Sequence, residues 1–217
     1  DSAQTSIDVA IYSFRDTEIE TALSKAVERG IIVRILLESA HEDSKDPAGS
    51  RSERLEEAGM DVRYVNKIMH HKFAIIDGPL DSLGASQTAW LVTGSANFSN
   101  SAGTRYDENT VFIRGSAETT LAFQAEFNHL WASARDFSSG AEFEDIDGIF
   151  IDQDEIEDEP GVQSWFTSAN FDVKQTRHGS TLTRVRGRQA VANQLVELIK
   201  NAERSIWVAS GHMRSRP

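Results

Sequence analysis

Met69-His-His-Lys-Phe-Ala-Ile-Ile-Asp77 is the stretch on which the reading of this chain turns. Its second half, Phe73 to Ile76, is an apolar run without clean alternation, as in a strand covered on both faces. On an extended chain, side chains two residues apart share a face, so His70 and Lys72 project together while His71 points to the other side. An imidazole with an ordinary pKa of about 6.5 can be a neutral nucleophile near neutral pH. An ammonium beside it can hold a phosphoryl oxygen and neutralise charge in the transition state. The pairing selects His70 over His71 as the candidate nucleophile. Asp77 has the opposite parity and is expected to fix the strand end or a neighbouring group.

Working outward, Thr93-Gly-Ser-Ala-Asn-Phe-Ser99 places Ser95 and Asn97 two apart, just after a strand predicted at Trp90 to Thr93. Gly94 allows close backbone approach, and the hydroxyl and amide are donors suited to a phosphate. Asp107-Glu-Asn109 then opens a strand predicted at Asn109 to Ile113, and a carboxylate there could orient one imidazole nitrogen and leave the other free. Each piece also has a plainer use. A His-His-Lys triplet can guard a sheet edge, Ser95 and Asn97 can form a turn, and adjacent histidines can suggest a metal. Against the metal, neighbours on a strand diverge, and no second histidine pair stands at helical i, i+4 spacing.

The flanks read as layered α/β structure. Ser6 to Tyr12 alternates like a half-buried strand, and Asp16 or Thr17 can cap a helix ending near Gly30. Strands at Ile31 to Leu37, Asp61 to Val65 and Lys72 to Ile76 follow, with a short helix around Ser52 to Ala58 and a longer one over Ala117 to Trp131. The fold class expected is an α-β-α sandwich around a mixed central sheet. The ten acidic residues of 142–159, with no Lys or Arg among them, account for most of the net charge of −12. They suit a linker or surface excursion. A basic window follows, with Lys174, Arg177, Arg184, Arg186 and Arg188, which could meet a phosphate-bearing ligand or simply form a solvated face or hairpin. A strand at Val162 to Thr167 and a helix with Val191, Leu195, Leu198 and Ile199 on its apolar face are expected next. Arg204-Ser-Ile-Trp-Val-Ala-Ser-Gly-His-Met-Arg214 then matches Thr5-Ser-Ile-Asp-Val-Ala-Ile-Tyr-Ser-Phe-Arg15, implying two copies of one unit. The expected division is a first repeat over 1–135, an acidic linker over 136–160 and the start of a second repeat over 161–217, with both ends truncated. The chain has no cysteine, which removes disulfides and thiolate metal sites, and no apolar run approaches the roughly 20 residues that span a bilayer.

H-x-K-x4-D, then G-S-x-N, then E-N resembles the HKD motif of the phospholipase D superfamily, here over residues 70–109. The resemblance implies a phosphodiesterase in which one histidine attacks phosphorus to give a phosphohistidine and a second, from another repeat, protonates the leaving oxygen. It implies His70 as nucleophile or acid, Lys72, Ser95 and Asn97 on the phosphate, Glu108 orienting His70, and Asp77 supporting the motif. It requires neither cofactor nor metal. One departure is that no second H-x-K-x4-D occurs: His129, His178 and His212 lack the companion lysine. A full site then needs a second HKD repeat in cis or a homodimer. The Gly-Ser-Ala-Asn-Phe-Ser run favours the nuclease-like branch. The alternatives are a phospholipase D or cardiolipin-synthase-like transferase and a catalytically silent phosphate-binding module. Family habit and the lack of cysteine point toward an exported bacterial protein.

Overall fold

The computed structural model describes residues 2–65, 67–137, 143, 146, 148–152, 155–157, 160–177 and 179–210. Strand β1 (Ser6–Ile11) is the hub, and all six of its residues are buried. This departs from the half-buried strand that its alternation suggests. It lies between two neighbours with helices over both faces, and its charge, Asp8, is neutralised by an arginine of the next strand.

The chain leaves β1 into helix α1 (Thr17–Glu28), capped by Asp16, whose side chain accepts from the amides of Glu18 and Ile19. Gly30, at φ 86°, turns the chain out of the helix, with its amide on Val27 O and that of Ile31 on Ala26 O. Strand β2 (Ile32–Leu37) then lies parallel to β1. Helices α2 (Ala40–Asp43) and α3 (Arg51–Glu57) lead to β3 (Asp61–Val65), parallel to β2. On the far side of β1 come the antiparallel strands β4 (Lys72–Ile76), β5 (Trp90–Gly94) and β6 (Thr110–Arg114), with the short helix α4 (Asn100–Thr104) before β6. Helix α5 (Ala117–Ala132) crosses back, and β7 (Ala134–Asp136) closes the other edge against β3. The sheet is therefore mixed and seven-stranded, in the order β6-β5-β4-β1-β2-β3-β7.

Two cores lie on its two faces. Val9, Ile11, Val33, Ile35 and Leu37 pack with Leu23 and Ala26 of α1 and Leu55 of α3. Ala10, Leu36, Phe73 and Ile75 pack with Phe127, Leu130 and Trp131 of α5. This is the α-β-α sandwich expected from the sequence.

The later part differs from the reading in its strands. The strand expected at Val162 to Thr167 does not form: Val162 makes a single bridge and Thr167–Asn170 is a 3-10 turn. The pairing belongs instead to a hairpin of β8 (Phe171–Thr176) and β9 (Gly179–Arg184). Aromatic side chains at Trp165 and Phe166 mimic strand composition, but Phe166 serves as an anchor against Phe123. Helix α6 (Ala190–Lys200) forms as expected, with Leu195 and Leu198 exposed. Residues 204–210, the described part of the repeated segment, form no strand. His178, His212, the end of that segment and most of the acidic stretch lie outside the described residues.

Candidate active site

Sheet register gathers the motif residues at one end. Ile11 pairs with Lys72, Phe73 with Thr93, and Gly94 with Thr110, so the exit of β1, the entry of β4, the exit of β5 and the entry of β6 lie side by side. Those are the chain positions of Tyr12, His70, Lys72, Ser95, Asn97 and Glu108. Strand parity then divides the histidines. His71 faces α5, where its Nε2 lies 2.8 Å from Glu126 Oε1. His70 stays with Lys72, whose Nζ stands 3.1 Å from His70 Nδ1 and donates to His70 O at 3.0 Å. The Tyr12 ring, 4.4 Å from that of His70, floors the pair, and Lys72 Nζ lies 5.2 Å from the same ring.

The loop after β5 is tied down by its own polar groups. Ser95 Oγ accepts from Asn109 N at 3.0 Å and from Asn109 Nδ2 at 3.3 Å. Asn97 Oδ1 accepts from Ser13 N at 3.1 Å, joining the loop to the exit of β1. The amides of Arg15 and Asp16 add to that seam by donating to Phe98 O. With its oxygen so engaged, Asn97 presents Nδ2 as a donor. Lys72, Asn97 and Glu108 line a cavity of about 470 Å³ whose other wall includes Ile19, Val92, Phe98 and Phe112. An ammonium and an amide donor over an apolar wall can seat an anion joined to a less polar body.

Protonation favours a nucleophile here. Burial, and then the ammonium of Lys72, lower the His70 pKa below its ordinary 6.5, so the ring is neutral at pH 7. Burial also lowers the Lys72 pKa from 10.5, opposed by the carboxylate of Glu108. Glu108 thus acts on Lys72, and it makes no hydrogen bond to His70 among the described residues. Asp77 stands at the opposite end of β4. Its Oδ1 accepts from the amides of Gln4 and Thr5 at 2.7 and 2.8 Å and so holds the entry to β1.

Sequence reasoning missed Tyr12, Glu126 and Glu38, whose Oε2 accepts from Met69 N at 2.6 Å. Glu126 left a trace in the sequence, because it sits among the apolar positions Phe123, Phe127 and Leu130 of α5. Among the described residues, one acidic group could hold a metal: Glu56, Asp61 and Asp136, with ligand oxygens within 4.8 Å of one another. It flanks β3 at the end away from His70.

A family comparison matches the domain described as "Cardiolipin synthase, PLD-like domain" to residues 1–131. The chain belongs to the phospholipase D superfamily. Among curated relatives, mitochondrial cardiolipin hydrolase of Danio rerio is 33% identical over 136 residues, covering 61% of this chain and 54% of that one. The Drosophila melanogaster protein of the same name is 32% identical over 143 residues, covering 60% and 55%. The chain thus spans about half the length of the curated relatives it matches. Among solved structures, the phospholipase D family member Nuc from Salmonella typhimurium superposes with a TM-score of 0.50 and 29% identity, covering 63% of this chain and 84% of Nuc. NucT from Helicobacter pylori gives 0.50 and 26%, covering 62% and 84%. Among the described residues of this family member, no helix is long and apolar enough to cross a membrane.

Proposed function

We propose that this chain supplies one half-site of a phosphodiesterase that cleaves its substrate through a phosphohistidine, in the nuclease-like branch of the superfamily. The observation that carries the reading is a neutral imidazole, His70, held beside an ammonium, Lys72, at the sheet end where Asn97 offers a free amide donor. In this reading a ring nitrogen of His70 attacks phosphorus, and the ester oxygen leaves with a proton from a second imidazole. That second group then takes a proton from water as the water attacks the phosphohistidine, restoring His70. Lys72 and Asn97 hold the non-bridging oxygens, Ser95 anchors the loop that carries Asn97, and Glu108 sets the field at Lys72. Asp77 supports the motif from the far end of β4. The second imidazole comes from a second HKD repeat in cis or from a second copy in a homodimer. The basic groups of β8, β9 and the turn beyond, including Lys174, Arg184 and Arg186, suit a polyanionic substrate.

A lipid substrate is the second reading. It is favoured by the apolar wall of Ile19, Val92, Phe98 and Phe112 and by the likeness to cardiolipin hydrolases.

Single-stranded DNA, RNA, phosphatidylcholine and cardiolipin, each offered to the full-length protein without added metal, separate the two. Cleavage of nucleic acid is expected, and cleavage of lipid alone overturns the nuclease-like branch. The variant His70→Ala is expected to lose turnover by at least about 10⁴-fold and to keep phosphate binding. Retained turnover removes His70 from its role. Because His70 must be neutral to attack and the second imidazole must carry the proton it delivers, kcat/KM is expected to rise with pH through a midpoint below 6.5 and to fall again at higher pH as that second group loses its proton.

A further inference from the structure

His70 precedes β4, in a stretch without strand pairing. Sheet hydrogen bonds therefore do not fix it, and a reacting group needs support from its surroundings. The residues on either side of it are each tied to a carboxylate. Before it, Met69 N donates to Glu38 Oε2 at 2.6 Å, just past the end of β2, and the Met69 side chain is buried in the α5-side core. After it, His71 Nε2 lies 2.8 Å from Glu126 Oε1. Glu126 is fully buried, and its other oxygen accepts from Ser168 Oγ of the 3-10 turn. The His71 carbonyl accepts from Tyr12 N at 2.9 Å, and its ring meets Phe73 and Phe166 at 5.4 and 6.2 Å. Lys67, whose ammonium lies 4.4 Å from the Phe171 ring, feels the charge of both carboxylates.

We propose that Glu38 and Glu126 are positioning residues for His70, clamping positions 69 and 71 so that the imidazole between them stands over Tyr12 and beside Lys72. This rests on the reading of His70 as the attacking group. A carboxylate buried in protein is costly to leave without its partner, so the Glu126 clamp holds firmly, while half-buried Glu38 holds the Met69 amide by a short charge-assisted bond. With both neighbours held, the direction of the His70 Cβ is set, and the Tyr12 ring and Lys72 bound what remains of its rotation. Loss of either clamp lets the ring swing toward solvent, and a displacement of about 1 Å at a reacting group can cost about 10²-fold in rate.

The test compares Glu126→Leu, Glu126→Gln and Glu38→Leu with His70→Ala in the full-length protein. Glu126→Leu and Glu38→Leu are expected to lower kcat by about 10- to 100-fold with KM changed less than about 2-fold, while Glu126→Gln, which keeps an acceptor for His71, recovers most of the rate. Nitrogen-15 NMR of the His70 ring gives a readout that needs no turnover. Its titration midpoint is expected to move up toward 6.5 in both Leu variants as the ring leaves its desolvated place. Glu38 by its charge raises that midpoint, so losing the charge alone would move it down, and a rise in Glu38→Leu reports displacement of the ring. Should Glu126→Leu not fold, His71→Phe carries the same expectation, since it keeps an aromatic ring against Phe73 and Phe166 and deletes the bond. Wild-type kcat and an unmoved His70 signal, with lowered thermal stability alone, overturn the proposal and leave the clamps as packing. If His70→Ala itself turns over normally, the phosphodiesterase reading falls and the clamp role with it. If His70→Ala is dead and the carboxylate variants are unimpaired, only the clamp role falls.

Discussion

At the scale of single residues, a strongly perturbed group lies away from the site. Glu56 of α3 is buried, accepts from Val62 N at 2.7 Å through Oε1, and has no hydrogen-bond partner for Oε2 among the described residues. Burial, with added repulsion from Asp136 and Asp61, pushes its pKa up from 4.5 to about 8. The folded protein therefore holds a proton that the unfolded chain releases above about pH 4.5, so this group's contribution to stability is complete below 4.5 and is lost as pH rises to about 8. Glu56→Gln, which has no carboxyl proton to lose, is expected to match the parent in urea midpoint near pH 5 and to exceed it by pH 8. A constant offset between the two across that range would show that Glu56 does not carry the linkage. Sequence alone gives no hint of this group, because an acidic residue in a short helix is ordinarily solvated; only the docking of α3 on β3 and β7 buries it.

Elements succeed or fail here through their ends. β5 and β6 meet so closely that a Cβ on Gly94 would stand 2.1 Å from Asn109 O. Asn109 in turn holds Ser95 through its amide and its side chain, so the packing of two strands sets the loop that carries Asn97. Gly94→Ala is expected to destabilise the fold by about 1–3 kcal/mol, measured by urea unfolding, and to weaken inorganic phosphate binding at the same time. Unchanged phosphate affinity would mean that the loop stands independently of the strand end. The requirement for close approach at Gly94 was legible in the sequence, and so was the split of His70 from His71, because strand parity is a local property. Glu108 shows the limit: its place at the entry of β6 could be read, but that its charge would fall on Lys72 required the register of β4, β5 and β6.

Across the whole molecule, Arg34 joins the layers. It is fully buried, donates to both oxygens of Asp8, to Ile146 O and to Asn128 Oδ1, and lies over the rings of Phe127 and Trp131. One guanidinium thus links β1, β2, α5 and the start of the acidic stretch. Arg34→Met is expected to cost about 3–5 kcal/mol in unfolding free energy, because it strands Asp8 as a buried charge. Adding Asp8→Leu should recover part of that loss, and if the double variant is no more stable than the single one, the cost lies in packing instead. The fold has no long-range signal for this pair: Asp8 and Arg34 are recognisable as partners only after β1 and β2 lie in register.

By itself the sequence determined the strands and the longer helices up to Trp131, though not the short helices α2 and α4, together with the split of His70 from His71 and the superfamily, since periodicity, capping and motif spacing are written within a few residues of one another. Tertiary structure decided what those residues meet. It covered both faces of β1, turned Phe166 from a strand former into a packing anchor while leaving Trp165 exposed, and put Glu38 and Glu126 on either side of His70. The physical reason is distance along the chain: partners that lie tens of residues apart are chosen by sheet order and layer packing, and no local pattern encodes either.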